Sequence, residues 1–347
     1  MVCLAKKHAV TTIMYQGVNY QMKKLIEEDR FNILRLLNTR GVGYKTANRI
    51  LSWCSTTNIN LAEFFAKIEN NENIQLKLNR DIYENLKVKD DKIFAQLDAL
   101  EEKEIGMVSI TQFGYPVKLS LSLYMNAPPV LFYRGNLEIL HRPGVGFCGS
   151  RNATERGIQT AHDCAEQLGY KGINIISGYA TGVDITTHKA AMGMGGYTTI
   201  VLPEGILNFR VRKELKEMFD EKKTLVFSEF LPNLPWSVNN AMTRNATICG
   251  LADIMILIEA KVKGGSFDAG NKALEMGRPL FVPVYEGMPE EASANSHFLT
   301  KGAYKVLKNE KTNKANLKNL MKKLLEVKDI KHYKFRKTEE QEKLFGC

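Results

Sequence analysis

The feature that most restricts the fold lies between residues 144 and 284, where short apolar runs alternate with stretches of helical period. The runs are Val145–Cys148, Ile173–Ile176, Thr198–Leu202, Thr224–Phe227, Ile254–Ile258 and Leu280–Val282. Between them lie helix candidates at 154–169, 184–194, 210–221, 241–251 and 266–277. A strand buried on both faces reads as an unbroken apolar run, and a helix between two such strands returns the chain to the same end of the sheet. The alternation therefore predicts an α/β domain with a doubly wound, mostly parallel sheet and helices on both faces. A closing strand is expected at Ala303–Leu307.

The flanks differ from this middle. Residues 21–105 have helical patterning: Phe31–Leu37 and Ala47–Leu51 flank a short glycine turn, and amphipathic stretches follow at 61–69 and 91–104. Residues 106–143 carry Pro116, Pro128, Pro129 and Pro143, so they cannot be one long helix and read as a connector. From residue 308 the chain reads as a basic amphipathic helix with a polar end. The expected division is an all-α domain at 1–105, the α/β domain at 106–307 and a helical tail at 308–347. Charge follows the same division. The chain has 48 Lys+Arg against 38 Asp+Glu, and the last forty residues hold twelve basic against six acidic ones. That tail is either a solvated helix or an electrostatic arm for a polyanion.

A hydrophobic content of 44% excludes a disordered chain. A membrane span needs about 20 consecutive apolar residues, and the strongest run, Ile254–Ile258, is far shorter. Residues 1–10 include Lys6 and Lys7 and are followed by polar residues, so no secretory leader is expected. The six cysteines are scattered, with no C-x-x-C pair and no histidine at ligand spacing. Neither a disulfide framework nor a metal site is expected, and a cytoplasmic, reducing setting fits. No cofactor is expected.

In a doubly wound sheet, ligands bind beyond the carboxyl ends of the strands, near the point where strand order reverses. Three loops expected there are rich in glycine. Gly149-Ser150-Arg151 precedes a helix for which Thr154 is a natural N-cap. Glycine admits close backbone approach, a helix start attracts an anion, and Arg151 supplies a planar cation for phosphate. The second loop is Ser177-Gly178-Tyr179-Ala180-Thr181-Gly182 and the third Gly264-Gly265-Ser266. Together they point to a phosphate-rich ligand. The G-x-G-x-x-G dinucleotide fingerprint, the P-loop signature and G-x-S-x-G are all absent, so the chain is read as a binding protein rather than an enzyme.

Single residues leave two readings each. Asp184 and His188, four apart on one helix face, are either an acid–base pair or a local hydrogen-bonding pair that holds a loop. Glu229 and Glu259, near strand ends, either act on a ribose or fix loops. Arg151 and Arg244 are candidate ligand contacts, and Trp236 and Phe230 either stack on bases or form an apolar lid.

The runs GVGFCGSRNATERG, INIISGYATGVDITTHKAAMGMGGYTTIVLPEG and FSEFLPNLPWSVNNAMTRNATICGLADIMILIEAKVKGGSFDAGNKALEMGRPLFVP resemble, in order, the DNA-processing protein A (DprA/Smf) family. The resemblance extends upstream to Tyr115-Pro116 and Ala127–Gly135, and downstream to Asn295, Leu299 and Gly302-Ala303. It implies an extended Rossmann-like domain that binds single-stranded DNA, protects incoming strands, and helps load a RecA-type recombinase during natural transformation or recombination. It also implies a homodimer formed through that domain, with no membrane partner. Gly149, Ser150 and Arg151 match the family's Gly-Ser-Arg phosphate site. Gly178, Gly182, Asp184 and His188 match its second glycine motif. Arg244 and Asn245 match its Arg-Asn motif, and Gly265 and Ser266 a further loop, to which Lys263 and Gly264 lead.

The chain departs from the family at Thr181 and Ala246, where arginines are common, which implies either a more weakly binding rim or one that uses Lys189, Lys261 and Lys263 instead. The family's frequent C-terminal winged helix is not recognisable. Leu36–Ala47 resembles a helix-hairpin-helix of the SAM-like kind, in which Gly41, Gly43 and Lys45 would meet a phosphate; the other reading is a plain αα-hairpin. Two rival functions stay open: a nucleotide phosphoribohydrolase, whose Gly-Gly-x-Gly-Thr motif is only half matched at Gly264-Gly265, and a nucleotide-sensing domain without catalysis.

Overall fold

A computed structural model describes residues 29–335, which fall into two compact units, one up to Ala99 and one from Leu100. The first unit is helical: α1 (29–38), α2 (Tyr44–Thr56), α3 (Leu61–Glu69) and α4 (Arg80–Leu86), with α5 (Lys92–Glu102) running across the boundary. Its core gathers Leu34, Leu36, Ile50, Phe64, Phe65, Ile68 and Leu86, all essentially inaccessible. Asn60 and Glu63 form a reciprocal capping box that starts α3. Buried Arg35 lies over the Phe65 ring at 3.9 Å and bonds Glu69 at 2.8 Å, which compensates its desolvation. Residues 1–28 of the expected helical domain, with Lys6 and Lys7, lie outside the described residues.

The second unit is built on a nine-stranded sheet ordered β1-β2-β6-β5-β4-β3-β7-β8-β9. The strands are β1 (Gly106–Ser109), β2 (Val130–Gly135), β3 (Gly144–Cys148), β4 (Asn174–Ser177), β5 (Thr198–Leu202), β6 (Thr224–Ser228), β7 (Ile254–Leu257), β8 (Leu280–Pro283) and β9 (Tyr304–Val306). From β6 through β9 every neighbouring pair is parallel; β1 and β2 join antiparallel at one edge. The helices are α6 (Val117–Leu123), α7 (Glu155–Tyr170), α8 (Val183–Gly193), α9 (Val238–Leu251), α10 (Gly265–Glu275), α11 (Ser293–Thr300) and α12 (Lys318–Phe335).

Central strands divide their side chains between two cores. Val145, Phe147, Ile254 and Ile256 pack with Ala161, Leu168 and Ala191 of α7 and α8, and with Leu320 and Leu324 of α12. Cys148, Met255 and Leu257 pack on the other face with Leu119 of α6, Ile248 of α9, Ala273 of α10 and Phe298 of α11. This two-sided burial is why the strands read as unbroken apolar runs; it gives the mostly parallel sheet with helices on both faces that the alternation predicts, and the Rossmann-like fold that the resemblance implies.

Three expectations need correction. The segment 106–143 is more than a connector: β1 and β2 pair with each other, and β2 continues onto β6. Strands of four to six residues lack a periodic signal of their own, and a partner decides them. No α-helix forms over 210–221, which holds only a 3₁₀ turn at Lys213–Leu215. Arg212 is extended (φ −65°, ψ 148°), and its N–H donates to the Tyr179 hydroxyl at 2.8 Å rather than to a helical carbonyl. The tail's helix starts at Lys318, because residues 308–315 first form a turn closed by a Lys308–Ala315 bridge. The tail's polar end, from residue 336, lies outside the described residues.

Candidate functional site

β3 leads to β4, β5 and β6 on one side, whereas β7, β8 and β9 lie on its other side. The strand order therefore reverses between β3 and β7, the point beyond whose carboxyl ends ligands bind in sheets of this kind. All three glycine loops are there: Gly149–Arg151 after β3, Gly178–Gly182 after β4, and the loop after β7 that ends at Gly264 before α10.

Hydrogen bonds and close backbone approaches join the loops. Ser266 Oγ donates to the Gly149 carbonyl at 2.7 Å, and Asn245 Nδ2 to the Gly265 carbonyl at 3.0 Å. Gly182 has φ +80°, and a Cβ there would come within 2.6 Å of the carbonyl oxygens of both Ser150 and Arg151. Only glycine fits a position that combines positive φ with two backbone oxygens. Gly149, Ser150, Arg151, Gly178, Gly182, Arg244, Asn245, Gly265 and Ser266 are thus one cluster. Lys263 and Gly264 are exposed beside it on the approach to α10, and nothing lies within 4 Å of a Cβ placed on Gly264.

The two arginines part company. Arg151 is exposed, with its guanidinium 5.8 Å from the ring centroid of Trp236, which is itself 47% exposed. Arg244 is only 6% exposed; its Nη1 donates to the Val201 carbonyl at 2.9 Å, and it fills the space a Cβ on Gly178 would need. Burial pulls its pKa down, and the charges of Asp184 and Glu229 oppose that pull. In this structure Arg244 supports the second loop from below instead of facing solvent. Phe230 is buried as well, which leaves Trp236 as the accessible ring of that pair.

His188 and Asp184 also hold the second loop. The His188 ring is completely buried between Thr198 Oγ1 and the Gly178 carbonyl, both at 2.6 Å. Burial lowers its pKa to about 4, so the ring is neutral at pH 7. A carbonyl only accepts, so the hydrogen of the neutral ring sits on Nε2. Asp184 accepts from Ser177 Oγ at 2.9 Å and from the Ala180 N–H at 3.2 Å. Glu229 accepts from Thr247 Oγ1 at 2.8 Å.

Glu259 occupies the start of α7. Its carboxylate accepts from the Thr154 N–H at 2.8 Å, from Thr154 Oγ1 at 2.7 Å and from the Tyr285 hydroxyl. Burial and this last bond push the Tyr285 phenol up to about 12. The backbone carbonyl of Glu259 accepts from the Ser150 N–H at 2.8 Å. An internal carboxylate therefore satisfies the anion preference of this helix start, and it fixes the loop that carries Arg151.

One further group, outside the sequence motifs, joins the second loop to the segment after β5. The Tyr179 hydroxyl donates to the Arg210 carbonyl at 3.2 Å, and Arg212 Nη2 donates to the Tyr179 carbonyl at 2.7 Å. The signal was available: Phe209-Arg210-Val211-Arg212 alternates with period two, the mark of extended chain. Elsewhere, His162, Asp163 and Glu166 bring ligand atoms within 4.8 Å of one another on α7, but Asp163 accepts from Gln159 and Glu166 pairs with Lys314. A cavity of about 310 Å³ lies by β8 and β9, lined by Arg156, Tyr285 and Lys308 among others and by none of the loop residues above. Among the described residues no helix is long and apolar enough to cross a membrane.

Known proteins resemble this chain in sequence and in fold. The chain is 32% identical over 215 residues to the DNA processing protein DprA of Streptococcus pneumoniae, a match that covers 60% of this chain and 74% of that relative. It is 32% identical over 188 residues to DprA of Bacillus subtilis, covering 53% and 62%, and 31% identical over 217 residues to the protein Smf of Escherichia coli, covering 61% and 57%. The chain thus spans somewhat under two thirds of the last two. The X-ray structure of S. pneumoniae DprA superposes with a TM-score of 0.55 at 26% identity, over 76% of this chain and 95% of that one. The structure of Helicobacter pylori DNA processing protein A, described for its single-stranded DNA binding mode, gives 0.53 at 25% identity, over 63% and 96%. The sequence model of the DNA recombination-mediator protein A matches residues 106–317, the span of the sheet together with the turn that follows it. By that match, which takes in more than half of its length, the chain belongs to the DNA recombination-mediator protein A family.

Proposed function

We propose that the carboxyl-end rim of the second unit binds single-stranded DNA. The observation that carries this reading is the convergence of three backbone-rich corners beside one exposed cation–aromatic pair, Arg151 and Trp236. Glycine-rich backbone that admits close approach, together with Arg151, suits phosphates, and an exposed indole suits the face of a base, a combination that tolerates any sequence. Family membership and the single-stranded DNA binding mode of the H. pylori protein support the same ligand.

The contacts divide into two sets. Gly149, Ser150, Arg151, Gly182, Lys263, Gly264, Gly265 and Ser266 form the surface that meets the strand. Gly178, Arg244 and Asn245 shape it from beneath. The carboxylates that would serve a nucleotide-cleaving enzyme, Glu229 and Glu259, are spent on Thr247 and on the α7 start, which favours binding over hydrolysis. In the cell the chain would protect single strands in the cytosol and help load a RecA-type recombinase, acting as a homodimer formed through the sheet domain. The α12 lysines Lys318 and Lys322 would add long-range attraction.

The test is an anisotropy titration of the full chain with an oligo-dT strand across a salt series. Binding is expected to weaken with salt at a log–log slope of roughly −0.7 per phosphate contact. Arg151→Ala is expected to weaken binding and flatten that slope by about 0.7. No binding at low salt would refute the function, and an unchanged slope would remove Arg151 from the site.

A further inference from the structure

Tyr179 belongs to the second glycine loop, and Arg210 and Arg212 lie in the segment that follows β5. β5 is the neighbour of β4, and adjacent strands are about 4.8 Å apart. The 209–212 segment therefore continues the same rim, on the side away from the β3–β7 junction. Its extended backbone keeps both arginines beside Tyr179, where a helix would have wound them apart.

The geometry of this group is that of a prepared plate. The Arg212 guanidinium lies 4.8 Å from the centroid of the Tyr179 ring, and Nη2 is anchored on the Tyr179 carbonyl. The Phe209 ring supports Tyr179 at 5.3 Å. The tyrosine is half-buried, and Arg210 is exposed with Nη1 on the Leu207 and Phe209 carbonyls at 3.0 and 2.7 Å. Among the described residues neither arginine has an ion-pair partner within 4 Å. A guanidinium carries five N–H donors, so anchoring one nitrogen leaves donors for a phosphate at a fixed place. Two cations without an ion pair and an aromatic ring on one rim, with the Glu214 carboxylate also acting on Tyr179, are the elements of a nucleotide seat.

We infer that Arg212 stacked on Tyr179, with Arg210 beside it, forms a second nucleotide seat on this rim. A single strand then runs from the Arg151–Trp236 pair across the second glycine loop toward the β5 loop. The inference rests on the proposed single-strand binding and adds the direction and length of the track. It also gives Arg212 a role that a bare link between two loops would not have, because a link does not release counterions.

The experiment is the oligo-dT salt series on the full chain, with Arg151→Ala, Arg212→Ala and Arg212→Lys in parallel and each fold checked by circular dichroism. Arg212→Ala is expected to weaken binding roughly tenfold and to flatten the log–log slope by about 0.7. Arg212→Lys keeps the charge and is expected to keep the slope while it loses part of the affinity, because lysine cannot stack as a plane. Tyr179→Ala is expected to cost more affinity than Tyr179→Phe, which retains the ring and removes only the hydroxyl link. If Arg151→Ala flattens the slope and Arg212→Ala leaves it unchanged, the second seat is refuted and single-strand binding stands. Equal losses in Tyr179→Phe and Tyr179→Ala would reduce the group to a loop latch and refute it as well. Failure of the wild-type chain to bind would sink the function itself.

Discussion

Gly182→Ala tests whether the first two loops are as tightly joined as the structure has them. The residue sits at φ +80° and ψ −126°, a conformation that costs an L side chain about 1–3 kcal/mol. The added Cβ would stand 2.6 Å from the carbonyl oxygens of Ser150 and Arg151, against a relaxed contact near roughly 3.5 Å. Both obstacles are backbone, so the loops must separate by somewhat under about 1 Å, and overpacking of this kind costs about 1–3 kcal/mol more. Gly264→Ala is the matched control: φ is +100°, but no atom lies within 4 Å of its Cβ, so it carries the strain alone. For a domain of this size each kcal/mol lowers the Tm by about 2–4 °C. Calorimetry should therefore place the Gly182→Ala melt below that of Gly264→Ala by roughly 2–12 °C. The same variant displaces Arg151, so its oligo-dT affinity should fall several-fold. Equal melting of the two variants would refute the tight junction of the first two loops.

His188 and the buried thiols give two more predictions. The His188 pKa is about 4 in the folded chain against 6.5 in the unfolded one, so between these values the unfolded state binds the extra proton. Stability is then fully present above pH 6.5 and falls by about 3 kcal/mol as the pH drops to 4; His188→Gln should remove that part of the pH dependence in urea titrations, and an unchanged profile would count against a neutral buried ring. Burial raises the thiol pKa of Cys148, and that of Cys249 to about 12, so both should resist iodoacetamide at about pH 8 until the chain unfolds. Rapid native-state alkylation of either, mapped by mass spectrometry, would contradict their placement.

Much of the sheet was legible because its chemistry is local. A run such as Ile254-Met255-Ile256-Leu257 is apolar at every position since alternate side chains enter two different cores. Thr154 was recognisable as a helix N-cap, and its side chain accepts from the Gly157 N–H at 3.1 Å. β1 and β2 were not legible, since their pairing joins residues far apart in the chain and leaves no periodicity within either strand. The 210–221 helix failed for a related reason: its helix-compatible composition was outweighed by bonds to Tyr179, some thirty residues earlier.

The site divides along the same line. Glycine loops, arginines and their order along the chain could be read directly, because backbone permissiveness and charge are properties of the residue itself. The direction in which a side chain points is not such a property. Arg151 and Arg244 look equivalent as letters, yet one stands in solvent beside Trp236 while the other is enclosed under Gly178. Likewise Glu259 resembles a free carboxylate until Thr154 and Tyr285 are brought to it. Composition and pattern determined which glycine loops and charged groups this protein carries. Packing between distant segments decided which of them face outward, since desolvation and hydrogen-bond satisfaction depend on neighbours that only the folded chain supplies.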